Sequence, residues 1–427
     1  MKQKQRPPVI IEMIRRKQSH NRSLAFLLVV LSLSLLSSHA VLAVAALPAS
    51  SSEAAIAQSG RQAEAEAVSI DLKDVLDTQI ESLDLSAVDH FIATLDNETL
   101  ALFPEFDLRE LAAGKGVDWG NLFSQLLRRL FREIVLNANL IGQMVVLAVL
   151  CVVLRHIQLS EGSSGELAFT VCFLTLFVLG IHGFGFAQQT AAAAVNQMSD
   201  FMYAMLPIMI TLLAAVGGIG SAAMIHPVMV ALIGATARLV SVVVLPLAML
   251  SAVVGAVGHL SDKYPLSKMA GLLRTVTVSI LGLGLCIFTG VITVRGLVAS
   301  VADGLTIRTA KYVSGSFIPV VGKFFSDTVE LITGCSLLLK NSLSVFGVAG
   351  LIVICAFPAV KILMLSLLYR LVGALLQPLG EPRLADALTA MGNALTLVFA
   401  AVAVVGVLFF VGLSIMTGLS NLTVMVR

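Results

Sequence analysis

The sequence predicts an all-α polytopic membrane protein, and three observations predict it. First, 57% of the 427 residues are apolar and only 13% are charged, against about 25% charged in soluble domains; the mean hydropathy is +0.94. Second, the apolar residues fall into long runs separated by short polar connectors. Third, part of the pattern occurs twice along the chain. The expected architecture is about six transmembrane helices plus two half-span or re-entrant segments in a two-copy internal repeat. A signal peptide and a small helical extracytoplasmic segment precede it. In residue numbers the divisions are 1–45, 46–133, 134–200, 201–311 and 312–427.

The chain opens with Lys2, Lys4, Arg6, Arg15, Arg16, Lys17 and Arg22, followed by the apolar run Leu24–Leu36 and the small residues of HAVLAVAALP. A basic region, a short apolar core and an A-x-A-like site read as a secretory signal peptide. Cleavage is expected after Ala43 or Ala45. The core is short for a span, and an uncleaved anchor is the other reading; both place the acidic segment beyond it outside the cytoplasm.

Between Ala46 and Gly120 the chain has 15 acidic residues and four basic ones. Ala46 to Arg61 is rich in Ala and Ser and reads as a linker. SIDLKDVLDTQIESLD then places Leu72, Val75, Leu76, Ile80 and Leu83 on one helical face, with acids on the other. Val88, Phe91, Ile92 and Leu95 suggest a second short helix. This region is too small to bury a large core alone. Its apolar faces dock on the membrane domain or on a partner, or the two helices form a solvated hairpin. WGNLFSQLLRRLFREIV comes next, with an apolar stripe (Leu122, Phe123, Leu126, Leu127, Leu130, Phe131, Ile134) opposed by Arg128, Arg129, Arg132 and Glu133. It predicts an interfacial helix. Three arginines beside a span usually mark the cytoplasmic side, but a long translocated segment weakens that rule, and the signal peptide decides.

Six spans are expected, at Ile134–Leu154, Leu167–Ala187, Val228–Val257, Val276–Val298, Ser344–Leu368 and Ala394–Gly418. Two apolar pieces, Met205–Ile219 and Phe317–Leu339, are interrupted by Gly, Pro or charge and read as half-spans. The repeat rests on prolines. Pro207 precedes Pro246 by 39 residues, and Pro319 precedes Pro358 by 39, the two pairs being offset by 112. Each copy is a half-span, a long proline-kinked span, a polar turn and a last span, so both copies have the same orientation. With six spans both ends of the mature chain lie outside, and the 259–274 and 377–392 turns face the cytoplasm. Arg308, Lys311 and Lys323 then sit against the positive-inside tendency.

No catalytic signal is present. There is no GxxxxGK[ST] phosphate loop and no HExxH. GSSG at Gly162–Gly165 matches a short serine motif of some intramembrane proteases, but it lies in a polar connector between spans, with no obvious histidine partner inside the membrane. AAVGGIGSAAMIHP (Ala214–Pro227) lacks the strand and the spacing of a dinucleotide loop. Cys151, Cys172, Cys286, Cys335 and Cys355 all lie in apolar stretches, none at CxxC spacing, and read as small buried hydrophobes rather than metal ligands or a redox pair. The basic footprint of a nucleic-acid binder is absent. No catalytic residue, metal site or cofactor is expected.

The candidate residues are therefore structural. Gly217, Gly218 and Gly220 let the backbone turn or approach another helix closely. His226 precedes Pro227, which is expected to begin the next helix. Arg238 lies inside an apolar run and is expected to face a partner or a water-filled cleft, with Asp200, Asp327 and Glu330 as candidate partners. Lys361 stands beside the expected kink at Pro358. Lys340 and Arg370, near the ends of apolar runs, are expected to snorkel to the interface.

FREIVLNANLIGQMVVLAVLCVVLRHIQ (131–158) and FMYAMLPIMITLLAAVGGIGSAAMIHPVM (201–229), after a signal peptide and acidic helices, resemble the stage III sporulation protein AE family of endospore-forming bacteria. The resemblance implies a non-enzymatic membrane subunit of the channel or feeding-tube complex that links mother cell and forespore. It implies residence in the outer forespore membrane and a need after engulfment. Its implied partners are a secretion-type ATPase, ring-forming proteins, a forespore-side partner and membrane lipid, with no nucleic acid. A stand-alone secondary transporter or permease is the alternative that the repeat and Arg238 suggest.

Overall fold

The computed structural model describes residues 78–81, 83–100, 103, 138–157, 163–259, 266–317, 321–379 and 382–426, and five single positions between 120 and 132. Every regular element among them is helical. The signal peptide, the Ala/Ser linker, the apolar stripe of the interfacial helix, and Pro319 lie outside the described residues.

Two short helices come first, α1 (Ser86–Ala93) and α2 (Asn97–Leu100). Next come α3 (Ala138–Ile157), α4 (Ser163–Ala215) and α5 (Ile219–Arg238). A π-turn (Leu239–Val244) joins α5 to α6 (Leu245–Val257). The last three are α7 (Ser267–Phe317), α8 (Val321–Leu376) and α9 (Pro382–Val426).

Five apolar stretches of 38 to 45 residues are long enough to cross a membrane: Val171–Ala215, Ile219–Val257, Ser267–Leu305, Ile332–Leu376 and Pro382–Leu419. α3 holds a shorter one, Gly142–Val153. At a rise of about 1.5 Å per residue, the long stretches extend roughly 57 to 68 Å, about twice the hydrocarbon core of a bilayer.

The half-spans expected at Met205–Ile219 and Phe317–Leu339 are not separate pieces. The first is the end of α4, which runs unbroken through Pro207. The second, from Val321 on, is the beginning of α8. Pro207 is exposed; its missing N–H costs the helix one ladder bond, to the Tyr203 carbonyl a turn earlier, while its own carbonyl accepts from Thr211 Oγ1 at 2.9 Å. The boundaries drawn at 200/201 and 311/312 therefore fall inside α4 and α7. The two joints that the proline spacing pairs also differ: the chain turns at 216–218, but Ile332–Ser344 lies inside α8.

The long helices alternate in direction. At one end, here the joint end, Asp303 of α7 meets the start of α5, and Lys340 of α8 meets Met416 of α9. At the other, the turn end, Gly255 of α6 lies against Ala390 and Ala270. α9 is the most buried of the five and α7 the least. α8 and α9 approach closely where glycine removes a side chain: a Cβ on Gly406 would stand 2.7 Å from Cys355 Sγ. Cys286, unlike the buried Cys151 and Cys335, is exposed on α7.

The π-turn has a sequence cause. Pro246 has no N–H to continue the ladder, and just before it the Leu245 N–H reaches back to the Val240 carbonyl, an i→i−5 bond. Pro358, which the sequence spacing pairs with Pro246, stands inside an α-helix with no π-turn.

The described part of the acidic segment docks on the helices rather than standing as a solvated hairpin. Leu83, Val88, Phe91 and Leu95 are buried. Phe91 packs on Phe201 of α4 (5.2 Å between centroids), and Phe103 packs on Phe201 (5.9 Å) and on Phe346 of α8 (5.6 Å). Gly350 makes room, since a Cβ there would stand 2.8 Å from Phe103 Cζ. Gln79 Nε2 donates to the Ile332 carbonyl at 3.2 Å, and Ser336 Oγ donates to Gln79 Oε1 at 3.3 Å. The helix expected to run through Asp84 ends sooner. Asp84 instead accepts from the Ser86 hydroxyl and N–H, which hold its carboxyl below the ordinary value.

Candidate functional site

The glycine-rich stretch is a helix-to-helix joint, and each glycine answers a different need. Gly217 has φ 100°, a left-handed conformation that costs a side-chain-bearing residue but not glycine. Its N–H donates to the Ala214 carbonyl at 2.9 Å, and the Gly218 N–H to the Leu213 carbonyl at 3.0 Å. That pair of bonds is a Schellman motif closing α4. Gly218 is the N-cap of α5, and its carbonyl accepts from the Ala222 N–H at 2.8 Å. With no side chain, Gly218 cannot cap the orphan N–H groups of the new helix.

The cap comes from elsewhere in the chain. The Asp303 carboxylate of α7 accepts from the Gly220 N–H through Oδ1 at 2.9 Å and from the Ser221 N–H through Oδ2 at 2.8 Å. Asp303 is 6% exposed, so these charge-assisted bonds form away from water and beside the positive end of the helix dipole. Gly220 is what allows the approach: a Cβ there would stand 2.6 Å from Asp303 Oδ1. Because Asp303 satisfies the first N–H groups, α5 begins at Ile219, eight residues before Pro227. Pro227 therefore does not start the helix. It lies within it on the exposed side, next to the exposed His226.

A second polar cluster lies between α8 and α9. Lys340 is fully buried and its Nζ donates to the Met416 carbonyl at 2.7 Å. One turn on, the Thr417 hydroxyl donates to Ser344 Oγ at 2.7 Å. Towards the turn end, Arg370 Nη2 donates to Thr396 Oγ1 at 2.7 Å and Ser366 Oγ to the Gly392 carbonyl at 2.7 Å. The Tyr369 hydroxyl donates to the Gly180 carbonyl of α4 at 2.7 Å. Lys340 and Arg370 thus turn into the helix interface instead of snorkelling. The aliphatic stem of a buried lysine covers apolar surface while its ammonium takes a backbone carbonyl.

The remaining candidates are spread along the helices. Arg238 is exposed at the end of α5 beside the π-turn, not in the interior of the chain. Asp200 is exposed on α4, and the side chains of Asp327 and Glu330 lie outside the described residues. Pro246 is exposed, and Pro358 and Lys361 are half-buried in α8. GSSG coincides with the start of α4, whose first side chains are not among the described ones. Asp303, which organises the joint, was missed; a lone acid late in an apolar run was its only signal.

With the joint and the α8–α9 interface described, the chain can be compared with known proteins. The family model for stage III sporulation protein AE matches residues 107–420. The chain belongs to that family. It is 38% identical over 300 residues to the stage III sporulation protein AE of Bacillus subtilis (strain 168), covering 70% of this chain and 75% of that relative. No solved structure matches. The family match takes in the joint, Asp303, Lys340 and all five long apolar stretches.

Proposed function

We propose that this member of the family is a non-enzymatic integral membrane subunit of the channel complex that links mother cell and forespore, required for forespore development after engulfment. Family membership over residues 107–420 carries the reading, and the five long apolar helices support a membrane platform. Its partners are a secretion-type ATPase, ring-forming proteins and a forespore-side protein, which supply the energy and the rest of the conduit. The chain resides in the outer forespore membrane. Its acidic segment is extracytoplasmic, on the joint side of the helices, and the 258–266 and 377–381 turns face the mother-cell cytoplasm. The direct test is a deletion strain scored by microscopy: arrest after engulfment is expected, and normal spores would overturn the reading. A Bacillus subtilis strain lacking its own stage III sporulation protein AE offers the same test by complementation.

A further inference from the structure

The outer surface of the helices has two characters. Along the middle of α7 the exposed side chains are mainly aliphatic or small, among them Leu283 and Ile287, and the exposed polar ones, Thr275, Ser279, Thr293 and Arg295, do not recur at a regular spacing. α4 presents something different. His182, Gln189, Asn196 and Tyr203 recur every seven residues, and Asp200 and Thr211 share their face; all six are exposed. This polar stripe runs along an apolar stretch long enough to span a bilayer, where unpaired amides and charges facing lipid are strongly disfavoured.

The stripe continues onto α5. The Tyr203 hydroxyl donates to the Val230 carbonyl at 3.3 Å, which sets the relative height of two antiparallel helices. Arg238 lies eight residues beyond Val230, and Asn196 seven before Tyr203. The two are therefore at one level, and Arg238 is the central residue of the apolar run Ile219–Val257. Asp200 and Arg238, both exposed, are of opposite sign on neighbouring helices.

We propose that this polar face of α4 and α5 is where a second copy of the chain packs within the membrane. The chemistry favours a self-pairing surface. A face that carries an acid and a base about one helical turn apart can satisfy both against its own copy, the long Arg238 side chain of one subunit reaching Asp200 of the other about a two-fold axis. Gln189 and Asn196 each have donor and acceptor and pair with themselves across such an axis. Ala193, Ala231 and Ala235 are exposed beside them and let helices approach closely. The inference rests on the membrane reading alone and stands apart from the sporulation role.

A photo-crosslinking residue in place of Asn196, in the full-length protein in native membranes, tests it. The expected adduct runs at twice the chain's 45.0 kDa, while the same residue in place of Leu283 gives none. Asp200→Arg or Arg238→Asp alone should abolish the adduct, and the two together should restore it. Each variant is first shown to be folded by an unchanged helical circular dichroism spectrum and limited-proteolysis pattern of the detergent-solubilised protein. An adduct to a different protein would overturn the proposal. So would labelling of position 196 by a membrane-impermeant, water-borne reagent, or a folded protein that gives no adduct.

Discussion

Asp303 illustrates how one side chain sets a helix boundary. Its carboxylate takes the N–H groups of Gly220 and Ser221, so the start of α5 depends on a residue 83 positions away. Asp303→Ala removes two charge-assisted bonds and leaves the buried Ser221 N–H unmet. The expected cost is about 2 to 5 kcal/mol, read as a fall in the thermal midpoint of the detergent-solubilised protein. Gly220→Ala should cost a similar amount by driving the carboxylate away, and the double variant should cost much less than the sum, because both remove one interaction. Lys340 calls for a different expectation. Lys340→Met keeps the stem and removes the buried ammonium, so stability should be unchanged or slightly higher, whereas Lys340→Ala opens a cavity and should cost about 2 to 5 kcal/mol. If Met were as damaging as Ala, the charge rather than the volume would be what Lys340 supplies.

Among the elements, the docked acidic segment is the one that a mutation can release. Phe91 and Phe103 hold it against Phe201 and Phe346. Truncating either ring should cost about 3 to 5 kcal/mol of local packing. Because the segment docks through a few residues, Leu83, Val88, Phe91, Leu95 and Phe103, that cost appears as faster proteolysis between α1 and α3 while the long helices stay intact. A uniformly lowered midpoint with unchanged proteolysis would show that the segment is part of the cooperative core. At the joint, Gly218→Leu is expected to damage assembly more than a Leu→Ile change in a neighbouring helix, since its Cβ would meet Leu213 Cδ1 at 2.9 Å and the Leu213 carbonyl at 3.0 Å. Equal tolerance of both would mean that the stretch is a loose connector.

The same joint shows what could be read from the sequence. Three glycines in an apolar run announced a turn, and the turn is there. The spacing of Val88, Phe91, Ile92 and Leu95 suggested a short helix that could dock or stand in a solvated hairpin; Val88, Phe91 and Leu95 are buried and Ile92 half-buried, so docking holds. Pro207 was misleading: a proline removes one ladder bond, to the carbonyl four residues before it, and α4 absorbs that loss on its exposed side without breaking. Lys340 was illegible for another reason. Helical position alone does not tell whether a lysine near the end of a run reaches water or a neighbour's carbonyl; that depends on where α9 lies. Asp303 belongs with it, since an acid caps a distant helix only once the long-range packing has been set.

At the scale of the whole molecule, rods about twice as long as a bilayer is thick need cover along their remaining length. That need suits a subunit of a larger assembly better than a solitary carrier. The most direct measurement is affinity isolation of this chain, in mild detergent, from cells fixed at engulfment. Recovery together with the secretion-type ATPase, the ring-forming proteins and the forespore-side partner is the expected result. Recovery of the chain alone, active in substrate flux when reconstituted by itself in vesicles, would contradict the account.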